Sequence, residues 1–437
     1  MLRFQGSRNT CGGGKMLSIA IIREQRQAVE RELERKGYTE GLDKIAQLDE
    51  EMRETLTEFE SKRAYQKQLS KKVGMAKAKG EDAEGLFEEA KELAQTVKDL
   101  EAKTERLRAQ LNRAMMYVPN LPDEDVPTGK DESENMLISE HGVVREFPFR
   151  PLAHWDLLER GSMLDGETGA KLSGSGFNCL RNDLAKLERV LIDYMINTHV
   201  TEHGYEEVST PFVAREEAMR GTGQLPKFHD DMYKIEDSDL YLIPTAEVTL
   251  ANCYSNTIFA REELPRKICG YTPCFRKEAG AAGRDTRGLI RVHQFSKVEL
   301  INYTTPDKSD EQLQNMLSEA TKILDRLELP YRLQLLCTGD MTFSSARTVD
   351  IELFCPGIDR WLEVSSCSNC RDFQARRMRT RFKDENKRNH LVHILNGSGL
   401  AVPRLIVAIA ENYQQEDGRI LIPQVLKKYF PGKELLG

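Results

Sequence analysis

The chain has no run of about 18 apolar residues, so no membrane-spanning helix is expected. It also has no excess of positive charge, because 63 Lys and Arg stand against 70 Asp and Glu, a net charge of −7. This balance argues against a protein that coats nucleic acid without specificity, and any RNA contact must come from a local basic patch. With 437 residues, the chain is long enough for two or three domains.

Two common phosphate-binding sequences are also missing. The chain contains neither the glycine fingerprint of a dinucleotide-binding fold nor a Walker A sequence. A nucleotide site in this protein is therefore explained neither by a Rossmann fold nor by a P-loop.

A paired cysteine framework is absent as well. The nine cysteines are scattered and odd in number, which favours a reducing cytoplasm. Cys367 and Cys370 form the one CxxC pair. A four-ligand zinc site needs a second pair, which His390 and His393 could supply on spacing alone. We expect no zinc, but this alternative stays open at the level of sequence.

Residues 1–15 contain no acidic residue and lack the apolar core of a signal peptide. Arg3, Arg8 and Lys15 accompany a run of three glycines. We expect a disordered leader or an upstream-start extension there, with a short transit peptide as the alternative.

The most informative stretch runs from Cys274 to Gly280 and resumes at Gly288–Glu299, and it is typical of two facing strands around a loop. Arg276 and Glu278 are two residues apart, and Phe295 and Glu299 are four apart, so strand alternation places each pair on one face. A guanidinium suits phosphate, an aromatic ring suits a purine, and a carboxylate suits an amine. The set predicts a site for a nucleotide beside an amino compound; an ordinary charged hairpin is the alternative.

Two long helices precede this region. Apolar or small residues recur at spacings of four and three from Leu86 to Ala114, and a partner seam runs from Ile45 to Val73. These seams predict an antiparallel hairpin about 45 Å long. Gly74 and Gly80 bracket the short connection between its helices, and the tip lies near residues 75–84. A stripe without any acidic residue lies near the tip and includes Lys62, Arg63, Lys67, Lys71, Lys72, Lys77 and Lys79. Such a stripe suits an RNA backbone, although a solvated coiled-coil face has the same pattern.

The 274–299 stretch resembles motif 2 of class II aminoacyl-tRNA synthetases in their seryl form, and three further segments agree in family order: Thr245–Glu247, Glu363–Cys370 and Asn396–Arg404. The resemblance implies an α+β protein, with an N-terminal antiparallel coiled-coil arm and a class II catalytic domain built on an antiparallel sheet flanked by helices. We expect the leader at 1–15, the tRNA-binding arm at 16–118, a linker at 119–135 and the catalytic domain at 136–437. The family's opening pattern starts at Met16, which makes Met16 a credible true start.

The family also implies an activity and its partners. We expect activation of L-serine with ATP and transfer to the 3′ end of tRNA(Ser), with charging of tRNA(Sec) left open. The arm would lie across the tRNA and contact its long variable region through Lys62, Arg63, Lys67, Lys71 and Lys72. The helix at Leu184–Met195 resembles motif 1, which forms the dimer interface in this class, so we expect a homodimer; an ordinary core helix is the alternative. We also expect a cytoplasmic protein without membrane contact.

By resemblance, the catalytic residues are Arg276 on the α-phosphate, Glu278 on the adenine amino group and Arg404 on the adenine face and terminal phosphates. Phe295 would stack on adenine, and Glu363 with Ser366 would hold Mg²⁺ bound with ATP. The full ATP-binding set implied is Arg276, Lys277, Glu278, Val292, Phe295, Glu363, Val364, Ser365, Ser366 and Arg404.

The serine pocket implied by the family contains Thr245, Ala246, Glu247, Glu299 and Ser398. Glu299 would accept the substrate hydroxyl, and loss of that contact would disfavour alanine by on the order of 10⁴. Taken alone, Glu299 could be a surface carboxylate and Ser398 a helix N-cap. Pro403 stands where the family usually has glycine beside the motif 3 arginine. Proline is tolerated at this position if it lies in the first turn of a helix.

Two other functions stay open: a catalytically silent binding protein on the same fold, and another class II activating enzyme, such as one for threonine or a carrier protein. The intact Arg276, Glu278, Glu299, Glu363 and Arg404 argue against the first, and the long basic arm argues against a carrier-protein ligase, which would not need it. The plain Thr245–Glu247 segment argues against the zinc-dependent archaeal form.

Overall fold

The structure, a computed structural model, describes residues 17–80, 82–278 and 287–437. The predicted leader at 1–15 and the loop at 279–286 lie outside the described residues. The chain divides into two compact units, one ending at Pro119 and the other containing Asn120–Gly437 together with Arg35–Gly37.

The helices of the described residues lie in both units. They are α1 (Ile19–Arg35), α2 (Asp43–Lys79), α3 (Glu84–Met115), α4 (His154–Arg160), α5 (Gly166–Ser173), α6 (Asn182–His203), α7 (Glu216–Thr222), α8 (Glu247–Asn252), α9 (Ser309–Arg326), α10 (Phe373–Met378) and α11 (Val402–Asn412).

The strands all lie in the second unit. They are β1 (Met136–His141), β2 (Leu164–Asp165), β3 (Cys179–Leu180), β4 (Glu206–Glu207), β5 (Val213–Arg215), β6 (Leu240–Leu242), β7 (Ile258–Ala260), β8 (Arg266–Phe275), β9 (Gln294–Thr304), β10 (Tyr331–Leu335), β11 (Arg347–Cys355), β12 (Arg360–Asn369), β13 (Arg381–Lys383), β14 (Asn389–Leu391), β15 (His393–Ala401), β16 (Ile420–Leu421) and β17 (Leu435–Leu436).

The first unit contains the predicted helical hairpin. The apolar seam of α3 is buried at Leu93, Val97 and Leu107, and it packs against Phe59 and Leu69 of α2. The heptad pattern therefore produces the antiparallel pair that the sequence predicts. The structure adds α1 to this unit, where Arg23 donates to the buried carboxylate of Asp49 at 2.8 Å.

The predicted tip of the hairpin is too long. Helix α2 continues through Gly74 and ends at Lys79, so Gly74 does not bracket the turn. Gly80 ends the helix in the left-handed conformation, with φ of 71°, and its N–H donates to the carbonyls of Ala76 and Lys77. An interior glycine costs about 1 kcal/mol, which the 37-residue helix tolerates, and that length corresponds to about 55 Å.

The second unit is built on an eight-stranded sheet in the order β1-β10-β11-β12-β15-β9-β8-β4. Its pairs are antiparallel except for β4 beside β8, which confirms the predicted antiparallel sheet. Helices α6, α9 and α11 cover the sheet with apolar residues, as at Leu191, Met316 and Ile406, each at most 1% exposed. The sheet and these helices form one core behind the central strands.

The segment predicted as a linker packs into the second unit. The Asn120 side chain donates to the carbonyls of Ser344 and Cys370 at 2.9 and 3.0 Å, and Val126 is buried against Leu336. Residues 120–135 are therefore part of this unit rather than a free connection. No helix in the described ranges is long and apolar enough to cross a bilayer.

Candidate active site

A cavity of about 620 Å³ opens over the central strands of the sheet. It is lined by β9, β12, β15, the segment that follows β8 and the start of α11. Its volume is typical of small-molecule sites. Most of the predicted site residues line it: Thr245, Glu247, Arg276, Glu278, Val292, Phe295, Glu299, Glu363, Val364, Ser366, Ser398 and Arg404. The folded chain thus brings together segments that are more than 150 residues apart in sequence.

Arg276 and Glu278 reach the cavity, but not through strand alternation. Strand β8 ends at Phe275, and Glu278 adopts φ of 50°, so the period-two argument does not extend to these residues. Arg276 is held by its backbone N–H, which donates to the carbonyl of His293, and by Nε, which donates to the carbonyl of Pro244 at 3.2 Å. The Glu278 carboxylate accepts from Arg291 at 2.7 Å, a partner that the sequence pattern did not predict.

Alternation along β9 does hold for Phe295 and Glu299, with Lys297 between them on the same face. The Arg276 guanidinium lies 5.1 Å from the centroid of the Phe295 ring. Glu299 is only 2% exposed, so it is not a surface strand carboxylate. This face of β9 therefore offers an aromatic surface, an amine and a carboxylate in succession.

Two buried carboxylates lie at the floor of the cavity. Burial raises the pKa of Glu247 to about 7, and the nearby charge of Glu299 contributes to the shift. Burial likewise raises the pKa of Glu299, while Lys297 opposes the increase. Gln374 donates to Glu247 at 2.6 Å, and Thr245 donates to Glu299 at 3.3 Å. A substrate ammonium would find two acceptors here whose negative charge is only partly compensated.

A second acidic group lies at the other side of the cavity. The Ser366 hydroxyl donates to Asp350 at 2.5 Å and lies 3.4 Å from the Glu363 carboxylate. Asp350 and Ser366 are cross-strand partners on β11 and β12. Burial, together with the charge of Glu363, raises the pKa of Asp350 well above its usual range.

Arg404 lies in the first turn of α11, directly after Pro403. Pro403 occupies a first-turn position that needs no intrahelical N–H bond, so its replacement of glycine is compatible with the helix. The Arg404 guanidinium donates to the carbonyl of Glu363 at 2.6 Å and lies 3.4 Å from its carboxylate. These contacts direct the side chain across the cavity towards Glu363.

Ser398 belongs to β15, paired in register with Glu299 of β9. Because α11 begins at Val402 with Ala401 as its N-cap, the N-cap alternative for Ser398 is wrong. The buried Ser365 hydroxyl donates to the Ser398 carbonyl at 2.7 Å. Ser365 therefore supports the pocket from behind.

Three predicted residues do not line the cavity. Ala246 is fully buried in the core beside Leu250, and Ser365 is 1% exposed behind β15. Lys277 donates its backbone N–H to Asp231 and directs its amine towards the Tyr233 ring. Direct substrate contact by these three residues stays a prediction.

Several residues that line the cavity were not predicted from the sequence, among them Lys297, Asn396 and Asp231. Lys297 could have been found, because alternation places it on the face of Phe295 and Glu299. Asp350 could not, since its position beneath Ser366 depends on the register of β11 against β12.

The four residues of the zinc alternative have separate partners. Cys367 bonds to Ser365, Cys370 accepts from Asn396, His393 bonds to Ser309 and His390 bonds to Asp384. Burial raises the pKa of Cys367 and of Cys370 to about 12, which disfavours the thiolate that zinc requires. Within the described ranges, no three His, Cys, Asp or Glu side chains are grouped so that they could hold a metal ion.

Comparison with known families gives two matches. A family described as "tRNA synthetase class II core domain (G, H, P, S and T)" matches residues 232–413. A family described as "Seryl-tRNA synthetase N-terminal domain" matches residues 16–122. The matches agree with the division of the chain into a helical unit and a sheet-based unit.

Individual relatives agree over almost the whole chain. The serine–tRNA ligase of Thermomicrobium roseum is 47% identical, over 97% of this chain and 95% of the relative, and that of Natranaerobius thermophilus is 45% identical over 96% and 100%. The seryl-tRNA synthetase of Pyrococcus horikoshii, solved with ATP, superposes with a TM-score of 0.90 at 37% identity, over 96% of this chain and 99% of that one. A Naegleria fowleri cytoplasmic serine–tRNA ligase, solved with AMP, gives 0.85 at 29% identity, over 96% and 98%. This protein therefore belongs to the seryl-tRNA synthetase family of class II aminoacyl-tRNA synthetases.

Proposed function

We propose that the cavity carries out both steps of serine–tRNA ligation, the ATP-dependent activation of serine and the charging of tRNA that characterise this family. The observation that carries the proposal is the convergence of Arg276, Glu299 and Arg404 on one cavity, although Arg404 is more than 100 residues from the other two in sequence. A catalytically silent relative would have no need to keep all three.

In the first step, the serine carboxylate attacks the α-phosphate of ATP and pyrophosphate leaves. The main requirements are position and charge neutralisation. Arg276 lies 5.1 Å from the Phe295 ring and close enough to Glu247 and Glu299 to influence their charge, so it would bridge the α-phosphate and the carboxylate. Adenine would stack on Phe295 and meet Glu278, while Arg404 would cover the other face and reach the terminal phosphates.

Serine would be selected at the buried end of the cavity. Thr245 and Glu247 would hold the ammonium group, and Glu299 would accept the hydroxyl beside Ser398. A carboxylate that is 2% exposed and left without this hydroxyl disfavours alanine by on the order of 10⁴. Threonine would be excluded by its additional methyl group.

The acidic group fits the magnesium ion that ATP brings. Glu363 and Ser366 provide two hard oxygens facing the cavity, with Asp350 buried behind them. Such a donor set suits Mg²⁺, which keeps several water and phosphate ligands of its own. When bound, the ion supplies charge neutralisation on the phosphates. Glu363 also positions Arg404 through its carbonyl and carboxylate.

In the second step, the 3′-terminal ribose hydroxyl of the tRNA attacks the carbonyl carbon of the seryl adenylate, the adenylate phosphate takes its proton, and AMP leaves. The arm of α2 and α3 would hold this tRNA. No acidic residue occurs from Lys62 to Lys79 of α2. Five basic side chains of this stretch are exposed: Lys62, Arg63, Lys67, Lys71 and Lys72. Phosphate contacts of this kind suit the long variable region of tRNA(Ser), and tRNA(Sec) shares that requirement.

The remaining proposals concern the assembly and the compartment. The resemblance to motif 1 supports a homodimer through α6, which sedimentation equilibrium would test. The odd number of cysteines, with those in the described ranges all free, supports a cytoplasmic location.

Pyrophosphate exchange, measured with each amino acid in turn, tests the function most directly. Serine should be the preferred amino acid, and charging should be selective for tRNA(Ser) in total tRNA. Exchange that prefers threonine would favour another class II enzyme, and the absence of exchange with every amino acid would favour the silent relative.

A further inference from the structure

Lys297 is a buried lysine that the four sequence motifs leave without a role. It lies between Phe295 and Glu299 on the cavity face of β9 and is 7% exposed. Its ammonium group forms an ion pair with Glu299 Oε2 and donates to Thr245 Oγ1 at 2.7 Å. A buried lysine is costly unless it is paired, so these two contacts fix its position.

The hydrogen bonds around Thr245 can be assigned completely. An ammonium group only donates, so the Thr245 oxygen accepts from Lys297, and it also accepts from the N–H of Glu247 at 3.2 Å. Both lone pairs of the hydroxyl are then used. Its single proton is left for Glu299 Oε2 at 3.3 Å.

This arrangement divides the two oxygens of Glu299 between different tasks. Oε2 forms the ion pair with Lys297 and accepts the hydrogen bond from Thr245. No donor from the described part of the chain reaches Oε1. Oε1 is therefore the acceptor left for a ligand. If Lys297 were absent, Thr245 could rotate, and both oxygens would compete for its proton.

Lys297 also acts on the charge of Glu299. The ionisable groups that influence this carboxylate come from several elements: Lys297, Arg276, Glu247, Cys274 and Cys367. Burial raises the pKa of Glu299, and Lys297 is the largest influence that lowers it. Loss of the lysine would leave Arg276 as the remaining cation against two buried carboxylates, and the pKa of Glu299 would rise further.

We propose that Lys297 is a specificity-determining positioning residue, which keeps Glu299 anionic and leaves Oε1 as the acceptor for the substrate hydroxyl. This inference rests on the proposed function, because it concerns selection of serine at the same cavity. It predicts that rejection of alanine depends on Lys297 as strongly as on Glu299.

Lys297→Met tests the proposal, since methionine retains the apolar stem and removes the charge. The KM for serine should rise by roughly 10- to 100-fold, as expected when a hydrogen bond to a charged group is lost, with little change in the KM for ATP. The serine-to-alanine ratio of kcat/KM in pyrophosphate exchange should fall. The acid limb of kcat/KM for serine should move towards neutral pH, because Glu299 is then protonated more readily.

Two further variants separate specificity from folding. Lys267→Met removes another ion-paired lysine of low exposure, which bonds to Glu319 at 2.6 Å outside the cavity, so it should lower stability without changing the amino-acid ratio. The double variant Lys297→Met/Glu299→Gln removes both buried charges. It should regain thermal stability relative to Lys297→Met but not regain discrimination against alanine.

If the wild type activates serine, either of two results overturns the proposal for Lys297. One is an unchanged serine KM, ratio and pH profile in Lys297→Met; the other is a double variant that regains discrimination together with stability. Failure of the wild type to prefer serine would instead contradict the proposed function itself.

Discussion

The basic stripe on α2 gives the most quantitative prediction about tRNA binding. Lys67 and Lys71 are one helical turn apart and share a face, with Lys72 beside them, and all three are exposed. If each lysine contacts one phosphate, the variant Lys67→Gln/Lys71→Gln/Lys72→Gln should bind tRNA with a flatter salt dependence. The magnitude of the negative slope of log K against log salt should decrease by up to about 2.7, since each contact contributes about 0.9. Between 50 and 200 mM salt, wild-type affinity should therefore fall about 40-fold more than that of the variant.

Filter binding of a tRNA with a long variable arm, over this salt range, measures the effect. A matched control is Lys91→Gln/Lys98→Gln/Arg106→Gln on α3, which removes the same charge from exposed positions of the returning helix. The control should keep the wild-type slope, and both variants should keep serine-dependent pyrophosphate exchange. Identical slopes and affinities for wild type and the α2 variant would show that the stripe is only a solvated coiled-coil face.

Three further predictions concern the cavity. Arg276→Ala should lower serine-dependent pyrophosphate exchange by at least about 10²-fold with the fold intact by circular dichroism, because the guanidinium is proposed to neutralise the reacting phosphate; near-normal exchange would contradict its assignment. Glu299→Gln should raise the KM for serine far more than that for ATP, and the opposite pattern would move Glu299 to the nucleotide side. Burial raises the pKa of Glu247 to about 7, so the folded state binds the extra proton between about pH 4 and 7 and the free energy of unfolding falls as pH rises through that range. Glu247→Gln should therefore be more stable than wild type at pH 8, by up to about 3 kcal/mol, and no different near pH 4; equal urea midpoints at both pH values would refute the raised pKa.

Local patterns in the sequence were sufficient for the parts of the fold that depend on near neighbours. The seam from Leu86 to Ala114 fixes the buried face of α3, because side chains three and four residues apart share one side of a helix. Alternation along β9 likewise places Phe295 and Glu299 on one face. Where a local rule was applied past the end of its element, it failed, as for Arg276 and Glu278 beyond the last residue of β8.

Tertiary structure decided what depends on distant neighbours. The sequence contains Thr245, Glu299 and Ser398, but only the order and register of the strands place them around one cavity. The same applies to charge: a glutamate in a sequence has its ordinary pKa, and Glu247 departs from it because the packed core removes water and brings Glu299 close. Hydrophobic periodicity acts over a few residues and can be read along the chain, whereas desolvation and Coulomb interactions depend on distances that exist only once the chain has folded.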